Sequence, residues 1–151
     1  MDWREPLTIL VAEDDENDVF LLERAFKKAG LDVPRYICRD GSEAMSYLKG
    51  EGKFTDRAKY PFPRILITDL KMPRCSGFDL LRWLYEHPEC NLIPKIVLSA
   101  SAHPEDVKLA YQLGANCYFR KPNASSDLVE LIKLASNFWA AAELPSMPKN
   151  C

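Results

Sequence analysis

Five short apolar runs recur along the chain, and amphipathic stretches separate them. The runs are Leu7-Thr8-Ile9-Leu10-Val11-Ala12, Pro34 to Cys38, Ile65-Leu66-Ile67-Thr68, Pro94 to Ala100, and Asn116 to Phe119. They predict strands, and the third, rich in Ile and Leu and followed by a turn, predicts one buried on both faces of a parallel sheet. Between them, apolar residues return at helical spacing. Val19, Leu22, Ala25, Phe26 and Ala29 precede Gly30, and Ala44, Tyr47 and Leu48 follow Gly41, with Ser42 as the expected N-cap. Ser76 to Leu84 predicts a third helix stopping near Pro88. A fourth runs from Pro104 to Leu113, with proline in its first turn and Gly114 just beyond it. The last helix spans about 125–142. Residues 50–63 are polar and turn-rich and predict an irregular connection.

Alternating strands and helices imply right-handed βαβ units, hence a doubly wound, five-stranded parallel α/β sheet. The 151 residues fit one domain, expected to occupy 1–151 with its core at about 7–142 and a tail at 143–151. No output domain is expected. Hydrophobic residues at 47% and charged residues at 28% place the chain among globular proteins. A net charge of -2 argues against general nucleic-acid binding. No apolar run is long enough to span a bilayer, and Met1 to Pro6 lack a signal-peptide layout. The five cysteines are odd in number and scattered, without CxxC spacing. His87 and Cys90 stand three apart with no second ligand pair. The cysteines therefore read as reduced thiols of a cytoplasmic protein, neither a zinc site nor a disulfide framework.

In such a sheet the carboxyl ends of the strands share one rim, where ligands bind. Glu13-Asp14 follow the first strand, Asp69 the third, Ser99 ends the fourth, and Lys121 follows the fifth. Each residue alone has an ordinary explanation as a cap, a turn residue or a surface charge. Together they form a coherent chemical set. Carboxylates about 4 Å apart repel by roughly 1–4 kcal/mol, so a cation belongs among them. Few carboxylates, retained water and a phosphate are the pattern for Mg²⁺. Asp69 is then placed as a nucleophile that forms an aspartyl phosphate, with Ser99 and Lys121 each donating to a phosphoryl oxygen.

These residues, with Met72-Pro73, Gly77, Ala100 and Pro122, make the chain resemble the receiver domain of a two-component response regulator over about residues 7–142. The resemblance implies the strand order 2-1-3-4-5 and phosphorylation of Asp69 by a sensor histidine kinase or phosphotransfer protein. It implies Mg²⁺ held directly by Asp14 and Asp69, by the backbone carbonyl of Lys71, and by Glu13 through water. Asp15 receives no ligand role. Tyr118 matches the family's switch aromatic. The long connection before the third strand and the ending Asn137-Phe138-Trp139 with Leu144-Pro145 resemble the small response regulators that partner bacterial phytochromes. Turnover is then confined to the chain's own aspartyl phosphate, and the signal leaves through a downstream protein target, with neither nucleic acid nor membrane as partner. The Lys71 side chain is expected over the phosphoryl group or paired with Glu13.

Three other readings compete. A flavodoxin-like protein needs a hydroxyl- and glycine-rich phosphate loop where Glu13-Asp14-Asp15 stand. A haloacid-dehalogenase-type phosphatase needs an acid where Lys71 stands. A receiver-like binding module that is never phosphorylated would not require Asp14, Asp69, Ser99 and Lys121 all to be intact. The last helix carries one stripe for its own core (Leu128, Ile132, Ala135, Trp139, Ala142) and a second (Leu131, Leu134, Phe138, Ala141). The second stripe is either a wide core-facing arc or the contact surface of a homodimer.

Overall fold

A computed structural model describes residues 7–151; the first six residues of the expected 1–151 unit lie outside the described residues. The strands are β1 (Ile9–Ala12), β2 (Arg35–Cys38), β3 (Ile65–Thr68), β4 (Lys95–Ser99) and β5 (Cys117–Arg120). The helices are α1 (Glu16–Lys28), α2 (Gly41–Lys49), α3 (Gly77–Tyr85), α4 (Pro104–Gln112) and α5 (Ser125–Ala141). All four strand pairings are parallel, in the order β2-β1-β3-β4-β5. Every residue of β1, β3 and β4 is buried, whereas the edge strands β2 and β5 are half-buried. Alternate strand residues face opposite layers. Ile9, Val11, Ile65 and Ile67 pack with Leu22 and Phe26 of α1 and with Leu128 and Ile132 of α5. Leu10, Ala12 and Leu66 pack with Tyr47 and Leu48 of α2 and with Leu80 and Leu84 of α3.

The helix starts follow local chemistry. Asp15 caps α1 by accepting from the Asp18 N–H at 3.0 Å, and Ser76 and Asp79 form a capping box on α3. For α2 the expected cap Ser42 lies inside the helix. Asp40 takes that place, its carboxylate accepting from the Glu43 N–H at 2.8 Å from extended backbone.

The connection before β3 is more ordered than its polarity suggests. It carries a short 3-10 turn (Gly52–Phe54), and Phe54 is buried against Tyr47 and Tyr60, with ring centroids 4.8 and 5.1 Å apart. The Tyr47 hydroxyl donates to the Pro61 carbonyl at 2.8 Å, which satisfies the one polar atom of a fully buried ring.

The expectation of five reduced thiols fails at two of them. Cys90, between α3 and β4, is joined to Cys151, with Cα atoms 5.7 Å apart; Cys38, Cys75 and Cys117 are free. The partners are 61 residues apart, a pairing that spacing does not reveal and that exists because the tail folds back onto the core. Closing a loop of that length stabilises the fold by roughly 4 kcal/mol through lost unfolded-chain freedom.

On α5, Leu128, Ile132 and Ala135 are buried as the first stripe requires. Leu134 and Phe138 of the second stripe are 64% and 63% exposed, so a wide core-facing arc is excluded. Leu131 alone in that stripe packs against the core. No helix among the described residues is long and apolar enough to cross a membrane.

Lys95 is a buried cation at the opposite end of β4 from Ser99. Its ammonium donates to the carbonyls of Asn91 at 3.0 Å and Ile93 at 2.8 Å, pinning the turn that precedes the strand. Burial lowers its pKa from 10.5 to about 8. Between those values the unfolded chain binds the additional proton, so stability rises with pH across the window and the penalty is fully present below it. The expected gain is roughly 2 kcal/mol after partial screening. Urea titrations at both ends of the window should show it as the difference between wild type and Lys95→Met, because burial raises the thiol pKa of Cys38 and Cys117 and these pull both proteins the other way.

Candidate functional site

The site grows from the ends of β1 and β3. Their register, Ala12 beside Thr68, continues one residue further, where the Asp69 N–H donates to the Ala12 carbonyl at 2.9 Å. The Glu13 N–H donates to the Cys38 carbonyl at 2.9 Å. Backbone pairing thus places both acids side by side before their side chains make any contact. Gly77 presses the start of α3 onto the same point. Its N–H donates to the Leu70 carbonyl at 2.9 Å, and a Cβ there would collide with the Asp69 carbonyl oxygen. The Asp69 carboxylate is fixed at both oxygens, Oδ1 by the Leu70 N–H at 2.7 Å and Oδ2 by Lys121 Nζ at 3.0 Å.

Carboxylate oxygens of Glu13, Asp14 and Asp69 all lie within 4.8 Å of one another. Lys121 reaches them from β5, whose end is tied to β4 by its own N–H donating to the Ser99 carbonyl at 2.7 Å. Its ammonium donates to Glu13 Oε2 at 2.8 Å, Asp18 Oδ2 at 2.8 Å and Asp69 Oδ2 at 3.0 Å. An ammonium has three protons, so all are engaged. Beneath the cluster lies an apolar floor that includes Val11, Ile67 and Leu98. Desolvation there raises the Glu13 pKa from 4.5 to about 7; the charge of Asp69 adds to the rise, and Lys121 and the Asp15 N–H oppose it. Burial alone would lower the Lys121 pKa, but hydrogen bonds to Asp18 and Glu13 and the charges of Asp69 and Glu13 hold it above its ordinary value.

Asp18 is the site residue that the rim argument misses, because it belongs to α1 and not to a strand end. Helical spacing was the available signal: Asp18 lies four residues after Asp14, one turn along the same helix entry. Asp15, left without a ligand role, acts as a cap.

Ser99 is buried, and its Oγ accepts from the Ser101 N–H at 3.2 Å, which leaves the hydroxyl proton free to point elsewhere. Tyr118 lies on β5 with its hydroxyl donating to the Ser101 carbonyl at 2.7 Å. The ring packs against the cluster of Leu70, Val97 and Ala110. Lys71 departs from expectation. Its ammonium neither crosses the rim nor meets Glu13 but lies 3.4 Å from Asp106 Oδ2 at the start of α4. Glu13 is already held by Lys121, and the Lys71 side chain is mostly in solvent. Asp106 also accepts from Ser101 Oγ at 2.6 Å, so one carboxylate links Lys71 to the Ser99–Tyr118 loop. His87 and Cys90 form no metal site: His87 Nδ1 meets the Trp83 carbonyl at 2.6 Å, and Cys90 is in the disulfide.

A family model for the response regulator receiver domain matches residues 9–133. Response regulator Rcp1 of Synechocystis sp. (strain ATCC 27184 / PCC 6803 / Kazusa) is 31% identical over 134 residues, 89% of either chain. The solved Mn²⁺-bound form of Rcp1 has a TM-score of 0.81 over 93% of this chain and 100% of its own. Response regulator RPA3017, from red light signaling of R. palustris, is 34% identical with a TM-score of 0.89, covering 93% of this chain and 99% of that one. The phosphorylated cyanobacterial phytochrome response regulator RcpA is 31% identical with a TM-score of 0.85, covering 94% and 100%.

Removing the one ammonium should unbalance the cluster. In metal-free buffer, Lys121→Met is expected to lose roughly 3–5 kcal/mol of stability, because Glu13 and Asp69 are left buried and unpaired. Added Mg²⁺ should restore much of that loss in urea denaturation, more than it stabilises wild type.

Proposed function

This chain belongs to the response regulator receiver domain family, and on that premise we propose that Asp69 is the acceptor of its phosphoryl group. The observation that carries the assignment is the convergence of Glu13, Asp14 and Asp69 with Lys121 on one strand-end rim. The donor is a sensor histidine kinase or a phosphotransfer protein, and likeness to RPA3017 and RcpA favours a phytochrome-type kinase. An Asp69 oxygen attacks phosphorus, a P–O bond forms, the P–N bond to the donor imidazole breaks, and the imidazole leaves with the electron pair and takes up a proton. The chemistry ends with hydrolysis of the chain's own aspartyl phosphate, without turnover of an external substrate. In this reading the chain works as a cytoplasmic response regulator.

The donor set suits a hard divalent cation: all the side-chain ligands are carboxylate oxygens, close enough to share one ion. Asp14 and Asp69, the Lys71 backbone carbonyl and Glu13 through water would hold Mg²⁺, and the Mn²⁺-bound form of Rcp1 supports a divalent ion in such a site. When bound, Mg²⁺ offsets the charge of the carboxylates and a phosphoryl oxygen so that two anions can meet. Lys121 turns one of its protons from Asp69 to a phosphoryl oxygen, while Asp18, outside the metal trio, keeps hold of another. Ser99 donates its free hydroxyl proton to the phosphoryl group. Movement of Ser99 breaks the Ser101 N–H bond and shifts the loop whose carbonyl holds the Tyr118 hydroxyl. The signal thereby reaches β5, α4 and α5, the face offered to a downstream protein target.

A homodimer through α5 completes the reading. Leu134 and Phe138 are solvent-exposed beside a groove that also involves Cys117, Phe119 and Trp139. Because β5 carries Tyr118 and adjoins α5, the phosphoryl state tunes that contact.

Incubation with acetyl phosphate and Mg²⁺, followed by intact mass, should show one added phosphoryl group on wild type. Asp69→Asn should show none, and Asp14→Ala should need far more Mg²⁺. Undiminished labelling of Asp69→Asn would remove Asp69 from the role. Sedimentation at matched concentrations should find a wild-type dimer whose population changes with phosphodonor, and a folded, monomeric Phe138→Glu. A wild type that stays monomeric under both conditions refutes the dimer.

A further inference from the structure

The C-terminal segment crosses from the end of α5 to the α2–α3 layer, at the end of the sheet remote from Asp69. There it meets Leu48, in the last turn of α2, and Cys90, which precedes β4. Three independent contacts hold its last two residues. Cys151 is bonded to Cys90, the Cys151 N–H donates to the Leu48 carbonyl at 2.9 Å, and Asn150 Oδ1 accepts from Arg57 Nε at 2.9 Å. Arg57 also donates to the carbonyls of Leu48 at 2.9 Å and Tyr60 at 3.1 Å, with its guanidinium over the rings of Tyr47 and Phe62. Gly50, at φ +70, leaves the space: a Cβ there would collide with the Asn150 side chain. Met147 and Cys151 pack against the α2–α3 core. The connection before β3, with the last turn of α2, thus forms a seat for the tail of its own chain.

The two sulfurs are unequal. Cys90 is 0% exposed, whereas Cys151 is a partly exposed residue, so a thiolate approaches the bond from the tail side. In a reducing compartment, disulfides that do form are mostly transient or redox-sensing.

We propose that Cys90–Cys151 is a reversible redox latch, exchanging with a dithiol reductant, that fastens the tail onto the α2–α3 layer. A thiolate of the dithiol attacks Cys151 Sγ; the bond to Cys90 breaks, and its electron pair leaves on Cys90 Sγ, which takes a proton. The second thiol of the reductant then attacks the mixed disulfide, releasing the Cys151 thiol. Two electrons pass to the protein, and the reductant departs as its own disulfide. Once the bond opens, the tail keeps only hydrogen bonds for which water competes and the packing of Met147 and Cys151, and it leaves its seat far more often. This input is separate from the rim, so phosphorylation of Asp69 proceeds in either redox state.

The full chain, purified without reductant and treated with oxidised glutathione, provides the test. In denaturant, three of its five cysteines should alkylate, and all five after dithiothreitol. On a non-reducing gel it should run as a single chain. Dithiothreitol should lower the melting midpoint by roughly 10 °C. It should also speed hydrogen exchange across residues 143–151, and oxidised glutathione should reverse both changes. Cys151→Ser, which leaves Cys90 in its core, should exchange rapidly at the tail with or without dithiothreitol. Five alkylated thiols without reduction, a bond between two chains, or an opened bond with tail exchange unchanged would each overturn the latch.

Discussion

One ammonium among carboxylates is the constraint on which the rim depends. Glu13 and Asp69 are drawn below the surface by the strands that carry them, over a floor of aliphatic side chains that offers no solvation. Lys121 makes that placement tolerable by donating to both, and Asp18 takes its third proton. Desolvation therefore acts in opposite directions on the two partners. It raises the pKa of Glu13, which has one cation to share, while Lys121, with several anions around it, ends above its ordinary value despite burial. Such a site is held in tension by charge, and it is suited to admit a further cation and an incoming phosphoryl group.

The backbone supplies the precision. Parallel register aligns the ends of β1 and β3 and carries the ladder one residue further into the acids. Gly77 lets α3 begin in contact with the Asp69 carbonyl, which only a residue without Cβ allows. The β4–α4 loop is held by polar contacts. Ser99, Ser101, Asp106, Lys71 and Tyr118 form one chain of hydrogen bonds and ion pairs through it. Local elements of this kind, with polar contacts near the surface and few buried apolar ones, lie at the low end of local stability, where conformational change is least costly.

The two ends of the sheet are built differently. At the carboxyl end, polar groups are gathered around one ammonium. At the other end, they are used up: Lys95 on backbone carbonyls, Arg57 on Leu48, Tyr60 and Asn150, and Cys90 on Cys151. The aromatic group of Tyr47, Phe54 and Tyr60 joins the connection before β3 to the α2–α3 core, and the tail packs against the same core.

The sequence by itself determined the class of the fold and most of the rim. Buried parallel strands must be almost wholly apolar, so Ile65 to Thr68 announces its own burial, and Asp69 directly after it can only stand at a strand end. Helix periodicity likewise separated the buried stripe of α5 from the one led by Phe138. Tertiary structure decided whatever depended on contacts between distant segments. Asp18 joins Lys121 across 103 residues, and Cys90 meets Cys151 across 61, pairings with no local periodicity to betray them. Lys71 pairs with Asp106 and not with Glu13, because a long, flexible side chain goes to the nearest unsatisfied charge, and only the assembled loops fix which one that is. Strand and helix patterns are written in neighbouring residues; the choice among partners belongs to the folded chain.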